Sequence, residues 1–119
     1  MTTVLVVDDD PAITAVVRDI LEWDGYTVLD AVGGAAIPLA RDAHPDVILL
    51  DLTMPGMDGI EVSKRLRADP QTTGIPIIVM SAVAKLQANA AEMQADDQLA
   101  KPFDPADLYA TVERWAPRR

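Results

Sequence analysis

The sequence contains no cysteine, so disulfides, thiolate metal sites and thiol catalysis are all excluded. It also lacks a long hydrophobic run, because no apolar stretch approaches the roughly 20 residues that a membrane-spanning helix needs. The first residues carry neither a basic segment nor a small-residue cleavage site, and they lead directly into a strand-like run. These absences predict a cytoplasmic protein.

Basic residues are scarce. The chain has 10 lysines and arginines against 19 aspartates and glutamates, which gives a net charge of −9. This balance argues against direct binding of the domain to nucleic acid or to an anionic membrane surface. Arg114, Arg118 and Arg119 are therefore interpreted as solvated charges rather than as a nucleic-acid-binding tail.

The composition is that of a globular protein, since half of the 119 residues are apolar and 24% are charged. A chain of this length is large enough for one domain with a real core and too short for two. The sequence shows no linker and no internal repeat. We therefore expect residues 1–119 to form a single domain.

Strand-like and helix-like segments alternate along the chain. The strands are short apolar runs with little polar alternation, which is typical of a parallel sheet covered on both faces. The helices show apolar residues at helical spacing, and two of them begin with Asp-Pro, a cap followed by proline. Strands are predicted at residues 3–7, 27–31, 47–50, 77–80 and about 98–100, and helices at 11–23, from 33 to 43, at 59–67, around Leu86, Ala90 and Met93, and from 104 onward.

This alternation predicts an α/β fold. Right-handed crossovers on five strands favour a doubly wound sheet with the strand order 2-1-3-4-5 and five helices. Pro38 lies inside the second helix and is tolerable only near a first turn, so that helix should start late or bent and end at His44-Pro45. Ligands of such sheets bind outside the carboxyl ends of the strands, at the switch point between strands one and three.

Three carboxylates occupy that position. Asp8 and Asp9 follow the first strand, and Asp51 follows the third. A carboxylate at the end of a buried strand is costly unless it meets a cation or a line of hydrogen-bond donors. The arrangement therefore predicts a divalent-metal site and makes Asp51 a candidate nucleophile.

With these residues placed, the chain resembles the receiver (response regulatory) domain of bacterial two-component response regulators, a flavodoxin-like fold. The resemblance covers essentially the whole chain. Each matching piece alone is moderately common, but the set, in this order and at strand ends, is very specific. The pieces are the pair Asp8-Asp9, the run from Asp51 to Gly59, Met80-Ser81-Ala82 and Lys101-Pro102-Phe103.

The resemblance implies a role for each site residue. Asp51 is the phosphoacceptor, which takes a phosphoryl group from a kinase phosphohistidine. Lys101 pairs with Asp51 and then with a phosphoryl oxygen, and the hydroxyl of Ser81 moves to bond that group. The family keeps the bond between Lys101 and Pro102 cis. The ligands of Mg²⁺ are Asp9 and Asp51 directly, Asp8 mostly through water, and the backbone carbonyl of Thr53.

The implied partners are a sensor histidine kinase or phosphotransfer protein and a downstream protein target, with the chain a monomer or weak dimer. We expect a single-domain response regulator that catalyses its own phosphotransfer and dephosphorylation but turns over no external substrate. A Mg²⁺-dependent phosphohydrolase is disfavoured because no acid lies two residues after Asp51 and no cap fits in 119 residues. An FMN-binding protein is disfavoured because no phosphate-binding loop follows strand one.

The sequence departs from the family on one face. Gln98 stands where the family usually has the aromatic residue that reports phosphorylation, and Gln94 replaces a common glycine. The span from Ser81 to Lys101 is also somewhat shorter than usual. These departures put the usual aromatic switch in doubt, and a coupling through the Ser81 hydroxyl stands equally beside neutral drift on an unused surface. They also keep open the alternative of a non-phosphorylated interaction module.

Several further residues have assignable roles. Thr53 and Val83 occupy family positions that modulate loss of the phosphoryl group, and an apolar Val83 predicts a persistent phosphorylated state. Asp10 and Asp104 are interpreted as helix caps, Gly59 as a residue that sets loop geometry, and a ligand role for His44 is disfavoured.

Overall fold

The structure, a computed structural model, describes residues 2–54, 56–88 and 94–117. Its centre is a sheet of five parallel strands in the order β2-β1-β3-β4-β5, which confirms the predicted topology. Three strands extend beyond their predicted ends, β3 by one residue, β4 by two and β5 by one at each end. The strands are β1 (Thr3–Val7), β2 (Thr27–Ala31), β3 (Val47–Asp51), β4 (Ile77–Ala82) and β5 (Asp97–Lys101).

Five α-helices lie within the described residues, as predicted. The fourth contains Leu86, whereas Ala90 and Met93 lie outside the described part of the chain. Among the described residues no helix is long and apolar enough to cross a membrane. The helices are α1 (Pro11–Trp23), α2 (Ala36–Ala43), α3 (Gly59–Ala68), α4 (Val83–Ala88) and α5 (Pro105–Trp115).

Local sequence signals set the helix boundaries. Asp10 accepts a hydrogen bond from the backbone N–H of Ala12, and Asp104 accepts one from that of Asp107, both at 2.9 Å. The predicted caps are therefore correct, and they satisfy donors that have no partner within the helix. Asp58 caps α3 in the same way, through the backbone N–H of Glu61.

The second helix starts late, as its proline predicts. A 3₁₀ turn at Gly33–Ala35 precedes α2, so Pro38 falls in the first turn, where its missing N–H costs nothing. His44 ends the helix in a left-handed conformation with φ 48°, and its backbone N–H donates to the carbonyl of Ala40. These features give His44 a structural role at the end of the helix.

The sheet separates two hydrophobic clusters. On one face Val17 and Leu21 of α1 and Leu108 and Val112 of α5 pack against alternate strand side chains. On the other face α2, α3 and α4 contribute residues such as Ala40, Leu66 and Leu86. All five residues of β3 are buried, so the strand that ends in Asp51 is held from both sides.

The edge strand β5 is tied to the end of α5 through Asp97. Its carboxylate accepts hydrogen bonds from the indole Nε1 of Trp115 at 2.8 Å and from the guanidinium of Arg114. Burial raises the pKa of Asp97, but the Trp115, Gln98 backbone and Arg114 donors outweigh it and leave that pKa below its usual value. Arg114 is thus paired as well as solvated.

Replacing Asp97 with asparagine is expected to lower the free energy of unfolding at pH 7 by about 1–2 kcal/mol, because charge-assisted hydrogen bonds to Trp115 and Arg114 are lost. A carboxyl with a lowered folded pKa stabilises the fold above its ordinary pKa of 3.8. The difference between wild type and variant should therefore shrink as the pH falls from about that value through the lower folded pKa. Urea denaturation of both proteins at pH 7 and near pH 3 measures this difference in the free energy of unfolding. A difference that does not depend on pH would contradict the stabilising role of the Asp97 carboxylate.

Candidate functional site

The three predicted carboxylates meet at the carboxyl ends of β1 and β3. These strands pair in parallel, with Val7 opposite Leu50, so the residues that follow them are neighbours. One oxygen from each of Asp8, Asp9 and Asp51 can be chosen so that all three lie within 4.8 Å of one another. Asp8 and Asp51 are buried and Asp9 is exposed.

Lys101 reaches the same point from the end of β5, and the Lys101-Pro102 bond is cis, as the resemblance implies. Its Nζ lies 2.9 Å from Oδ2 of Asp8 and 3.4 Å from Oδ1 of Asp51. We expected Asp51 as its partner. The closer partner is Asp8, which sequence reasoning missed because this contact spans 93 positions of the chain.

The surroundings in the site raise the pKa values of both Asp51 and Lys101. Burial, followed by the charge of Asp8, raises the pKa of Asp51, against the opposing effects of Lys101 and the Thr53 backbone N–H. Burial alone would lower the pKa of Lys101. The hydrogen bond to Asp8 and the charges of Asp51 and Asp8 reverse that effect, so the pKa of Lys101 is raised and its ammonium is firmly charged.

Ser81 completes the arrangement from β4. It is buried near the end of that strand, next to Ala82, where the strand pairs with β5. It borders a cleft of about 360 Å³ that opens at the end of the sheet. The cleft therefore brings together every side chain predicted for the site, and its lining consists of Asp8, Asp9, Asp10, Asp51, Thr53, Ser81, Ala82 and Lys101.

Gly59 lies against the backbone that carries Asp51. A Cβ atom on Gly59 would be 2.2 Å from the carbonyl oxygen of Asp51 and 2.7 Å from the Cα of Leu52. The backbone N–H of Gly59 also donates to the carbonyl of Leu52 at 3.0 Å. The sequence predicts this glycine only as a loop-setting residue, whereas the structure places it directly against the Asp51 backbone.

Three residues singled out in the sequence lie on the surface, namely Gln98, Gln94 and Val83. Gln98 is an exposed residue of β5, and Val83, the first residue of α4, is 54% exposed. Gln94 has φ 49°, a left-handed conformation that explains why glycine suits this position. Its carbonyl accepts a hydrogen bond from Nε of Arg67 at 3.0 Å.

The donor set fits a hard divalent cation. Mg²⁺ prefers oxygen ligands and is usually held by one or two carboxylates together with water. Asp9 and Asp51 offer carboxylate oxygens at the cleft, with Asp8 beside them and Thr53 on its border. The exposure of Asp9 leaves room for water ligands.

Comparison with known proteins identifies the family of the chain. Residues 4–113 match the response regulator receiver domain family. The DNA-binding dual master transcriptional regulator RpaA of Synechocystis sp. is 42% identical over 115 residues, which are 94% of this chain and 48% of RpaA. The chain thus spans about half the length of such relatives.

Two solved structures match over nearly their whole length. A putative response regulator from Chloroflexus aurantiacus has a TM-score of 0.88 at 35% identity, covering 95% of each chain. The receiver domain of sensor histidine kinase PA1611 from Pseudomonas aeruginosa has a TM-score of 0.86 at 32% identity, covering 96% of each chain, and its structure has a magnesium ion coordinated in the active-site cleft. Sequence, fold and acidic cleft agree, and the chain belongs to the response regulator receiver domain family.

Proposed function

We propose that Asp51 accepts a phosphoryl group from the phosphohistidine of a sensor histidine kinase or phosphotransfer protein. The observation that carries this proposal is the cleft in which Asp51 stands beside two further carboxylates and the ammonium of Lys101. Phosphoryl transfer depends on positioning and charge neutralisation more than on covalent help from the protein. The cleft offers both.

In the proposed step a carboxylate oxygen of Asp51 attacks phosphorus in line with the bond to the donor imidazole. A P–O bond forms as the P–N bond breaks, the nitrogen keeps the electron pair, and Asp51 becomes an acyl phosphate. Lys101 supplies a point charge to a phosphoryl oxygen. The hydroxyl of Ser81 donates a hydrogen bond to the same group.

Asp8, Asp9, Asp51 and the backbone carbonyl of Thr53 would hold Mg²⁺, directly or through water. When bound, the ion neutralises charge on the carboxylates and on the transferring group. Without it, burial and then the charge of Asp8 raise the pKa of Asp51.

The proposed output is a protein contact. The relatives include DNA-binding regulators, but the match covers about half their length. Within residues 1–119 we propose a single receiver domain, whose net charge of −9 disfavours direct contact with nucleic acid. Phosphorylation of Asp51 would change a protein-binding surface, with no turnover of an external substrate.

An interaction module without phosphorylation is the second candidate, because the position of the usual aromatic residue is an exposed glutamine, Gln98. One experiment separates the two. Incubation with Mg²⁺ and a small phosphodonor, followed by intact mass measurement, should show one added phosphoryl group, and a chelator should prevent it. A folded protein that never gains the group would favour the interaction module.

The phosphorylated state is expected to persist. Val83 is exposed at the start of α4 and has no polar group to orient an attacking water. Replacing it with glutamine should shorten the phosphorylated lifetime severalfold. Removing the phosphodonor and following the intact mass with time measures this, and a lifetime that Val83→Gln leaves unchanged would contradict it.

A further inference from the structure

Asp10 joins the acidic cleft to the start of α1. Its backbone N–H donates to Oδ1 of Asp8 at 2.9 Å, and its own Oδ1 accepts the backbone N–H of Ala12, also at 2.9 Å. Its backbone carbonyl accepts the backbone N–H of Thr14 at 3.1 Å. These hydrogen bonds connect the side chain of Asp8 with the first turn of the helix.

The backbone of Asp10 is held from both sides. Pro11 is the first residue of α1, and a residue before proline is restricted to extended backbone. Asp10 is extended, with φ −89° and ψ 109°, and the cap bond to Ala12 holds it in that conformation. The direction in which the Asp10 N–H points is therefore coupled to the way α1 begins.

The carboxylate of Asp8 depends on that N–H for its orientation. Its side chain is 0% exposed, so solvent does not replace a donor that moves away from Oδ1. The other oxygen, Oδ2, lies 2.9 Å from Nζ of Lys101. With one protein donor on each oxygen, the plane of the carboxylate is fixed in the cleft. Donors that orient a metal ligand in this way raise the affinity of the site for its ion.

The carboxylate of Asp10 has a different task from those of its neighbours. Asp10 borders the cleft, where a carboxylate could add charge or a further metal ligand. Its Oδ1, however, is engaged by Ala12. Among the described residues, the carboxylates whose oxygens lie within 4.8 Å of one another are Asp8, Asp9 and Asp51. The geometry gives Asp10 the cap and leaves the ion to the other three.

We propose that Asp10 is a positioning residue for the divalent cation. Its side chain caps α1, the cap fixes the Asp10 N–H, and that N–H orients the carboxylate of Asp8. The inference rests on the proposed function for its metal and goes beyond it, because it assigns part of the metal affinity to a residue outside the ligand set. Formation of the first turn of α1 and preparation of the cleft are then one coupled event.

Calorimetric titration with Mg²⁺ alone tests this role. Asp10→Asn and Asp10→Ser remove the charge but keep a capping side chain, so any loss of affinity in them measures the charge alone. Asp10→Ala removes the cap as well and should bind Mg²⁺ about three- to tenfold more weakly than these two variants. The loss stays below the roughly 10–100-fold that removal of an outer partner costs, because the backbone N–H itself remains.

Asp104→Ala is the matched control. Asp104 caps α5 through a hydrogen bond of the same length, 2.9 Å, precedes Pro105 and lies outside the cleft. Its loss should destabilise the fold about as much as Asp10→Ala does and leave the Mg²⁺ affinity at the wild-type value. An equal loss of affinity in Asp104→Ala would overturn the proposal, and so would equal affinities in the three Asp10 variants.

Hydrogen exchange in the metal-free protein reports on the bond to Asp8 directly. Relative to the unstructured peptide of the same sequence, the backbone N–H of residue 10 should be protected in wild type and in Asp10→Asn. The protection should fall severalfold in Asp10→Ala, because the uncapped turn no longer holds this N–H on Oδ1 of Asp8. Equal protection in the two variants would overturn the route through the cap.

The outcome is separable from that of the proposed function. A weaker Mg²⁺ affinity in Asp10→Ala than in Asp10→Asn, without phosphorylation of Asp51, would leave this inference standing and overturn the phosphoacceptor role. Phosphorylation of Asp51 with equal affinities in the Asp10 variants would do the reverse. A wild-type protein that binds no Mg²⁺ would overturn both the metal site and this inference.

Discussion

Gly59→Ala is expected to lower the free energy of unfolding by about 3 kcal/mol and to displace the carboxylate of Asp51. The new methyl group would lie 2.2 Å from the Asp51 carbonyl oxygen, 2.7 Å from Leu52 Cα and 2.9 Å from the Asp51 carbonyl carbon. All three atoms belong to the backbone of a buried strand end, so no flexible side chain can move aside. Overpacking of this kind costs about 1–3 kcal/mol or more. Phosphorylation should slow as well, because Asp51 and the start of α3 must separate.

Gly74→Ala is the matched control. A Cβ on Gly74 meets nothing within 4 Å, and its φ is not positive. The free energy of unfolding of the Gly74→Ala variant should stay within about 0.5 kcal/mol of that of wild type. Urea denaturation of both variants measures the difference, and equal stability of the two would contradict the close approach at Gly59.

Asp51→Asn is expected to abolish uptake of the phosphoryl group while making the metal-free protein more stable, by roughly 0.5–2 kcal/mol. The amide lacks the nucleophilic carboxylate oxygen. The gain in stability follows because burial and the charge of Asp8 raise the pKa of Asp51, so its ionised form is disfavoured in the fold. An acid with a raised folded pKa destabilises the fold above that pKa, and the cost disappears as the pH falls through it. The advantage of the variant should therefore shrink in acid.

Mg²⁺ should reverse the order of stability. A ligand at one hundred times its dissociation constant stabilises the fold by about 2.7 kcal/mol, and the variant has lost a ligand of the metal. Asp104→Asn is the control, since asparagine caps a helix as well as aspartate does and Asp104 lies outside the cleft. Urea denaturation with and without Mg²⁺ measures the free energies of unfolding of wild type, Asp51→Asn and Asp104→Asn. A variant less stable than wild type without metal would contradict the electrostatic account.

Much of the fold could be predicted because its signals are local. Apolar runs gave the strands, and the caps Asp10 and Asp104 gave two helix starts. The strand order followed from the handedness of crossovers, which holds for almost any parallel sheet. The end of β4 was placed too early because Ser81 and Ala82 lack the bulk of typical strand residues, although both pair with β5.

The contacts within the site were less accessible to sequence reasoning. The side chains of the cleft meet because the parallel strands that precede them end at one edge of the sheet, which the topology predicts. The preference of Lys101 for Asp8 depends on ångström-scale placement across 93 positions of the chain. The same holds for Gly59 against Asp51 and for the link from Asp97 to Trp115, where backbone or indole geometry decides the contact.

The central claim is that Asp51 itself carries the phosphoryl group, and trapping the acyl phosphate tests it most directly. Borohydride reduces an acyl phosphate of aspartate to homoserine, which peptide sequencing by mass spectrometry can place. After incubation with Mg²⁺ and a small phosphodonor, homoserine is expected at position 51 of the wild-type chain and should be absent without Mg²⁺. Homoserine at Asp8 or Asp9 instead, or at no position in a folded protein, would contradict the account.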